Sequence, residues 1–277
     1  MQSLGRCFLV AVALLAGIWT AQADEPRTKK LLLLAQGPDG HPPATHEYVA
    51  GLKVLQKCLE QTPGLDVTLE RADEPWEAGP AKLAAADGAV IFLSEGAKWA
   101  QAEPRRLDAL ARLAARGGGF VALHWGMGTT DAAPIDAYLK LLGGCHGGPD
   151  RRYAVVEATL RAAEPRHPIA TAIGPLAVRD EFYFRLKFAP SPSAVEPVMI
   201  VPIEGRDETV AWAWQRPDGG RSSGFSGLHF HENWRHASYR RLVVQSALWS
   251  MKLPIPAAGA NVDVANEILE LDKEPSP

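Results

Sequence analysis

Four histidines in this chain stand where an α/β protein does its chemistry. His46-Glu47 opens a helical pattern in the loop after one apolar run, and His124-Trp125-Gly126 closes another. Leu228-His229-Phe230-His231-Glu232-Asn233-Trp234 ends the last strand-like segment. His229 and His231 are two apart, and on a strand residues two apart face the same side. That spacing offers two imidazoles to one divalent metal, with His46 or His124 completing the set. Three protein ligands and an open position are the arrangement of catalytic zinc, which makes zinc the favoured ion. The same rings suit general acid–base work, with His124 and His46 as the carriers. Both readings stand. A single histidine at a strand end is more often satisfied by backbone or by a carboxylate, whereas four on three converging segments point to a site.

Asp180-Glu181 begins a strand-like stretch. Neighbouring carboxylates point to opposite faces of a strand, so one of the pair reaches a given site, to orient a histidine or bind a sugar hydroxyl. Trp125 and Trp234 can stack on a sugar face, with Glu47 beside them as a polar contact. Trp212 and Trp214 alternate within a strand and read as packing. His124 occupies the strand-to-helix turn where some α/β enzymes hold a nucleophile, but neither Ser nor Cys is adjacent. Amidotransferase or peptidase chemistry therefore lacks its activated nucleophile. Gly117–Gly119 is followed by no G-K-[ST] and opens no G-x-G-x-x-G, so no nucleotide cofactor is expected.

The elements that must position these residues follow a regular rhythm. Leu31–Leu34, Ala89–Leu93 and Phe120–Leu123 are continuous apolar runs, suited to strands buried on both faces. Tyr48, Leu52, Leu55 and Leu59 fall at helical spacing behind a Thr45 cap. Leu65–Leu69 alternates as a strand. Leu107–Leu113 is helical, and Ile135–Leu142 is helical up to Gly143-Gly144. Strand and helix alternating in this way predict a doubly wound, mostly parallel sheet, whose ligands bind beyond the carboxyl ends of its strands. After residue 150 the strands Tyr153–Leu160, Glu181–Leu186, Val198–Pro202 and Val210–Trp214 form a late antiparallel extension. It precedes a closing strand, Ser226–Phe230, and a closing helix, His236–Met251.

Composition sets the class. The 277 residues are 47% apolar and 22% charged, which excludes a disordered chain. The balance of 29 basic against 32 acidic residues, net −3, gives no electrostatic case for nucleic acid or an anionic membrane. Residues 1–23 carry Arg6, an apolar run from Cys7 to Trp19, and Ala21-Gln22-Ala23, the pattern of a secretory signal cleaved after Ala23. The run is shorter than the roughly 20 residues a membrane-spanning helix needs, so no stable membrane insertion is expected after cleavage. The protein is expected to be exported, periplasmic or secreted. The α/β domain is expected over 24–256 and a Pro-, Ala- and acid-rich tail over 257–277. Cys58 and Cys145 read as two free, buried thiols.

GGGFVALHWG (117–126), LLGGCHGGP (141–149), HPI (167–169), DEFY (180–183), GLHFHENW (227–234) and YRRLVVQSALW (239–249) resemble the trehalose-utilisation, or ThuA-like, family. The resemblance runs from about Leu31 to Pro256 and rests on the order and spacing of these motifs together. It implies a flavodoxin-like α/β sandwich related to class I glutamine amidotransferases but without their cysteine. It also implies an association with the catabolism of trehalose and keto-sugars. Its motifs put His46, His124, Asp180, Glu181, His229 and His231 in or near the pocket. The secretory signal departs from the cytoplasmic trehalose-utilisation proteins. Two functions follow: an exported enzyme acting on a small-molecule carbohydrate or keto-sugar, and a non-catalytic carbohydrate-binding or scaffold module of the same fold.

Overall fold

A computed structural model describes residues 27–163, 166–190 and 195–271. The expected secretory signal lies outside the described residues. Five strands form the parallel half of one sheet: β1 (Lys29–Ala35), β2 (Leu65–Arg71), β3 (Gly88–Ile91), β4 (Gly119–Leu123) and β12 (Arg221–Phe225), in the order β2-β1-β3-β4-β12. The chain steps outward from β1 in both directions, which opens a crevice at the carboxyl ends of β1 and β3.

The continuous apolar runs are explained by burial on two faces. Leu31, Leu33 and Ala35 point to one core with Val90, Val121 and Leu123, while Leu32 and Leu34 point to the other with Ala89, Ile91, Phe120 and Ala122. The first core is closed by α1 (Tyr48–Leu59) and α6 (Ala237–Ser250). The second is closed by α2 (Gly79–Ala85), α3 (Gly96–Ala102), α4 (Pro104–Ala115) and α5 (Ile135–Leu142). Each strand has to be apolar on both sides because each side faces a helix layer.

The antiparallel half continues the same sheet as β12-β11-β10-β7-β8, from β7 (Arg152–Ala162), β8 (Leu176–Phe184), β10 (Glu196–Ile203) and β11 (Arg206–Gln215). A small second sheet joins β5 (Gly128–Thr129), β6 (Gly144–Gly147) and β9 (Lys187–Phe188). The extension is inserted before the closing strand and helix. Among the described residues, no helix is long and apolar enough to cross a membrane.

Three expectations are corrected. The closing strand is Arg221–Phe225, and Ser226–Phe230 is an irregular turn with Leu228 at φ 79. The true strand was hidden because it is small and polar. Gly224 lies against the Trp212 indole, Ser222 Oγ donates to the Leu141 carbonyl at 2.6 Å, and Ser223 pairs with Ser250. Asp180 and Glu181 fall in the middle of β8 instead of at its start. Thr45 does not cap α1; its hydroxyl donates to the Pro42 carbonyl at 2.6 Å. The expected tail is packed as far as it is described: Ala260, Val262 and Leu269 are buried, and Arg240 Nε donates to the Val262 carbonyl at 2.9 Å. Cys58 and Cys145 are both buried and free.

Candidate metal centre and pocket

Three of the four histidines meet at the carboxyl ends of the parallel strands. His46 comes from the loop after β1, His124 from the turn that directly follows β4, and His229 from the irregular turn after β12. His46 Nε2 lies 3.0 Å from His124 Nε2 and 3.1 Å from His229 Nδ1, and the latter two are 3.3 Å apart. A tetrahedral cation with bonds of about 2.0–2.1 Å to imidazole nitrogen sets its ligands roughly 3.3–3.4 Å apart, so the triangle fits one face of such a shell.

The protonation of the rings follows from their other nitrogens. His124 Nδ1 lies 2.7 Å from the Ser226 carbonyl, which only accepts, so Nδ1 carries the proton. His46 Nδ1 donates to Asp39 Oδ2 at 2.9 Å. Burial drives all three pKa values down: His124 well below 6.5, His229 to about 4, and His46 lowered despite the opposing pull of Asp39. The rings are neutral at pH 7. The His46–His124 contact therefore sets two unprotonated ring nitrogens 3.0 Å apart with no proton between them, although Tyr183 donates to one of them from the side. A cation between them relieves that repulsion. A carboxylate behind one ligand and a carbonyl behind another are the usual orienting partners of metal-bound histidine.

Asp39 is held below the usual carboxylate range: burial works to raise it, but hydrogen bonds from His46 and from Tyr48, at 2.7 Å, outweigh burial. His46 and His124 both adopt positive φ, at 52° and 44°, a conformation that costs an L-residue about 1–2 kcal/mol. Strain of this kind concentrates at functional sites.

Glu181 and Tyr183 reach the cradle from β8, two residues apart on one face of the strand. Glu181 Oε1 is 3.6 Å from His229 Nδ1 and 3.9 Å from His124 Nε2, and burial raises its pKa. The Tyr183 hydroxyl donates to His124 Nε2 at 3.1 Å, and its ring is sandwiched between His124 and His146 at 4.4 and 3.9 Å. Asp180 faces the other way and is fully buried. It accepts the amides of Leu228 at 2.6 Å and His229 at 3.1 Å, together with the Tyr239 hydroxyl at 3.1 Å. Burial pushes its carboxyl up to about 7 against those hydrogen bonds. Asp180 thus positions the turn that carries His229 and stays out of the pocket.

The cradle opens into a cleft of about 350 Å³, whose walls include Trp125, His146, Arg151, Tyr153, Glu95 and Glu181. His41 stacks on His46 at 3.6 Å, with its side chain 41% exposed at the mouth.

The remaining sequence candidates lie elsewhere. His231 starts a helical turn and is not among the histidines that meet, because the strand its spacing assumed is absent. Trp234 is buried against Gly51 and Phe92 in the core, which removes it from any recognition surface. Glu47 accepts the Ala44 amide at 3.0 Å and shapes the loop before α1. His41, Asp39, Tyr183, His146 and Arg151 were missed. Tyr183 had a signal in its two-residue spacing from Glu181 on a strand, and both Tyr183 and His146 lie in motifs that carry the family resemblance.

The profile of the ThuA family, trehalose utilisation, matches residues 39–250. A ThuA-like protein from Bacteroides uniformis has a similar structure, with 16% identity and a TM-score of 0.60, covering 84% of this chain and 95% of that one. A second, from Parabacteroides merdae, gives 14% identity and a TM-score of 0.60, covering 81% and 90%. No curated protein sequence matches the chain. The chain, with its motifs in order across the matched residues, belongs to the ThuA, or trehalose-utilisation, family.

Proposed function

We propose that this protein is an exported, metal-dependent enzyme acting on a carbohydrate or keto-sugar, with His46, His124 and His229 holding a divalent cation. Three neutral imidazoles favour zinc. The observation that carries the reading is the triangle of ring nitrogens 3.0, 3.1 and 3.3 Å apart, two of them unprotonated and turned on each other. When bound, the cation supplies Lewis acidity toward a carbonyl or hydroxyl oxygen of the substrate.

The chain's own residues do the rest. Asp39 and the Ser226 carbonyl hold two rings in the required tautomer. Glu181 takes up or returns a proton beside the reacting oxygen, a task suited to a carboxyl whose pKa burial has raised. Tyr183 directs its hydroxyl at the same place and donates to negative charge that develops there. Trp125, half-buried in the wall, offers its ring to the sugar face. The family's description as trehalose utilisation supports the substrate class, and residues 1–23 support export.

Elemental analysis of residues 24–277, purified without chelators or a His tag and then offered Zn²⁺, tests the reading. Close to one metal per chain is expected, lost in His229→Ala and kept in His231→Ala. Metal at background in the unaltered protein overturns the metal centre. Stoichiometric metal with sugar binding but no turnover across a screen of sugars and keto-sugars would leave a binding module.

A further inference from the structure

The lining of the cleft carries a cation, Arg151, that no carboxylate neutralises among the described residues. Arg151 follows a tight turn at the end of β6, where its amide donates to the Gly148 carbonyl at 3.3 Å. Its guanidinium NH1 donates to that same carbonyl at 3.2 Å, which pins the arm and leaves the other N–H groups directed elsewhere. Among the described residues no carboxylate forms an ion pair with it. The carboxylates beside it in sequence and in the cleft lining are engaged: Asp150, its neighbour in sequence, pairs with Lys187 at 2.8 Å. Glu95, another residue of the cleft lining, pairs with Lys98 at 3.1 Å and accepts the Thr130 amide at 2.8 Å. Glu181 faces the cradle.

The groups around Arg151 are donors of a compatible kind. His146 is a buried wall residue whose ring is kept neutral, first by burial and then by Arg151 and Lys187. A neutral imidazole retains one N–H to give. Tyr153, 57% exposed, also lines the cleft and stands edge-on to His146 at 6.5 Å. Trp125 lies edge-on to both His146 and Tyr183, 5.7 Å from each. A pocket built only for neutral hydroxyls has no use for an unmatched guanidinium. A planar fork of N–H groups beside a neutral N–H donor is what recognises an oxyanion.

We propose that the cleft takes an acidic sugar: its anionic substituent seats on Arg151, and its reacting carbon and oxygen lie at the histidine cradle, with Trp125 under the ring between them. The inference rests on the carbohydrate reading of the pocket. A carboxylate and a phosphate share the chemistry that Arg151 recognises, so the test includes both.

Equilibrium binding of D-glucuronate, D-glucose 6-phosphate and D-glucose is measured by calorimetry on the full chain, with bound metal and after chelation. At least one of the two acidic sugars is expected to bind roughly 10- to 100-fold more tightly than glucose, the range of a charge-assisted hydrogen-bonded pair. Which acid leads identifies the substituent. Arg151→Gln is expected to abolish the preference while leaving glucose affinity unchanged, and Arg151→Lys to restore part of it. The preference should survive chelation, because Arg151 touches none of the metal ligands. That arm separates the two readings: loss of metal with the preference intact removes only the metal centre. Equal binding of all three sugars, binding of none, or an Arg151→Gln protein that loses glucose and acid alike overturns the acidic-sugar site.

Discussion

Asp180 shows how a residue can govern a site it never enters. Its carboxyl gathers the Leu228 and His229 amides and the Tyr239 hydroxyl in a fully buried position, and Leu228 turns at φ 79 to make this possible. Asp180→Asn places an NH₂ group against N–H donors and strands at least one of them. We expect a loss of about 1–3 kcal/mol in stability, read by thermal unfolding. The zinc affinity of the proposed centre, read by chelator competition, should fall by about 10–100-fold, the effect expected when an orienting partner of a metal ligand is removed. Unchanged zinc affinity in a folded Asp180→Asn protein would show that the turn holds His229 without it. His46 and His124 were legible because each follows an apolar run, and carboxyl ends of buried strands are where an open sheet binds its ligands, whereas His229 was read inside a closing strand that in fact ends at Phe225. His231 misled because two-residue spacing implies one face only on a strand, and the chain there is a turn. His41 and Arg151 sit on loops whose path no periodicity encodes.

At the scale of elements, the parallel strands were readable because two helix layers force each one to be apolar on both sides. Where that rule relaxed, the reading slipped. β12 packs through small residues against Trp212, so hydrophobicity placed it five residues late. The seven-residue helices α2 and α3 are too short to show a stripe. The turn that carries His124 depends on a close approach of a similar kind. A Cβ on Gly126 would run into the Ile91 carbonyl at the end of β3, and one on Gly96 into the Gly126 carbonyl. Gly126→Ala should therefore cost about 1–3 kcal/mol, as overpacking does, and displace the turn that follows β4. Gly174 meets nothing within 4 Å, so Gly174→Ala should be neutral or stabilise by about 0.4–1 kcal/mol through the unfolded chain. Melting curves of the two variants separate the effects. Equal melting temperatures would mean that the turn after β4 has slack.

For the whole molecule, the number of buried neutral histidines sets the response to acid. Burial is the leading cause in each: His146 is pushed down to about 3, His167 and His229 to about 4, and His46, His124 and His231 are lowered too. A histidine with a depressed folded pKa contributes its full stability above 6.5 and loses it as pH falls through the folded value, because the unfolded chain binds the proton first. Asp39, also held low, adds a loss below the usual carboxylate range. Asp180, raised to about 7, and Glu181, also raised, act in the opposite sense: their contribution is greatest in acid and declines as pH rises. Six histidines against two carboxyls leave a net loss on acidification. The melting temperature should fall steadily between pH 6.5 and pH 4. His167 allows a test away from the cradle, since its ring accepts the Ile169 amide at 3.1 Å and packs edge-on to Trp249. Glutamine can still accept that amide but does not titrate, so His167→Gln should flatten the fall. A slope as steep as that of the unaltered protein would assign the acid sensitivity to the remaining histidines.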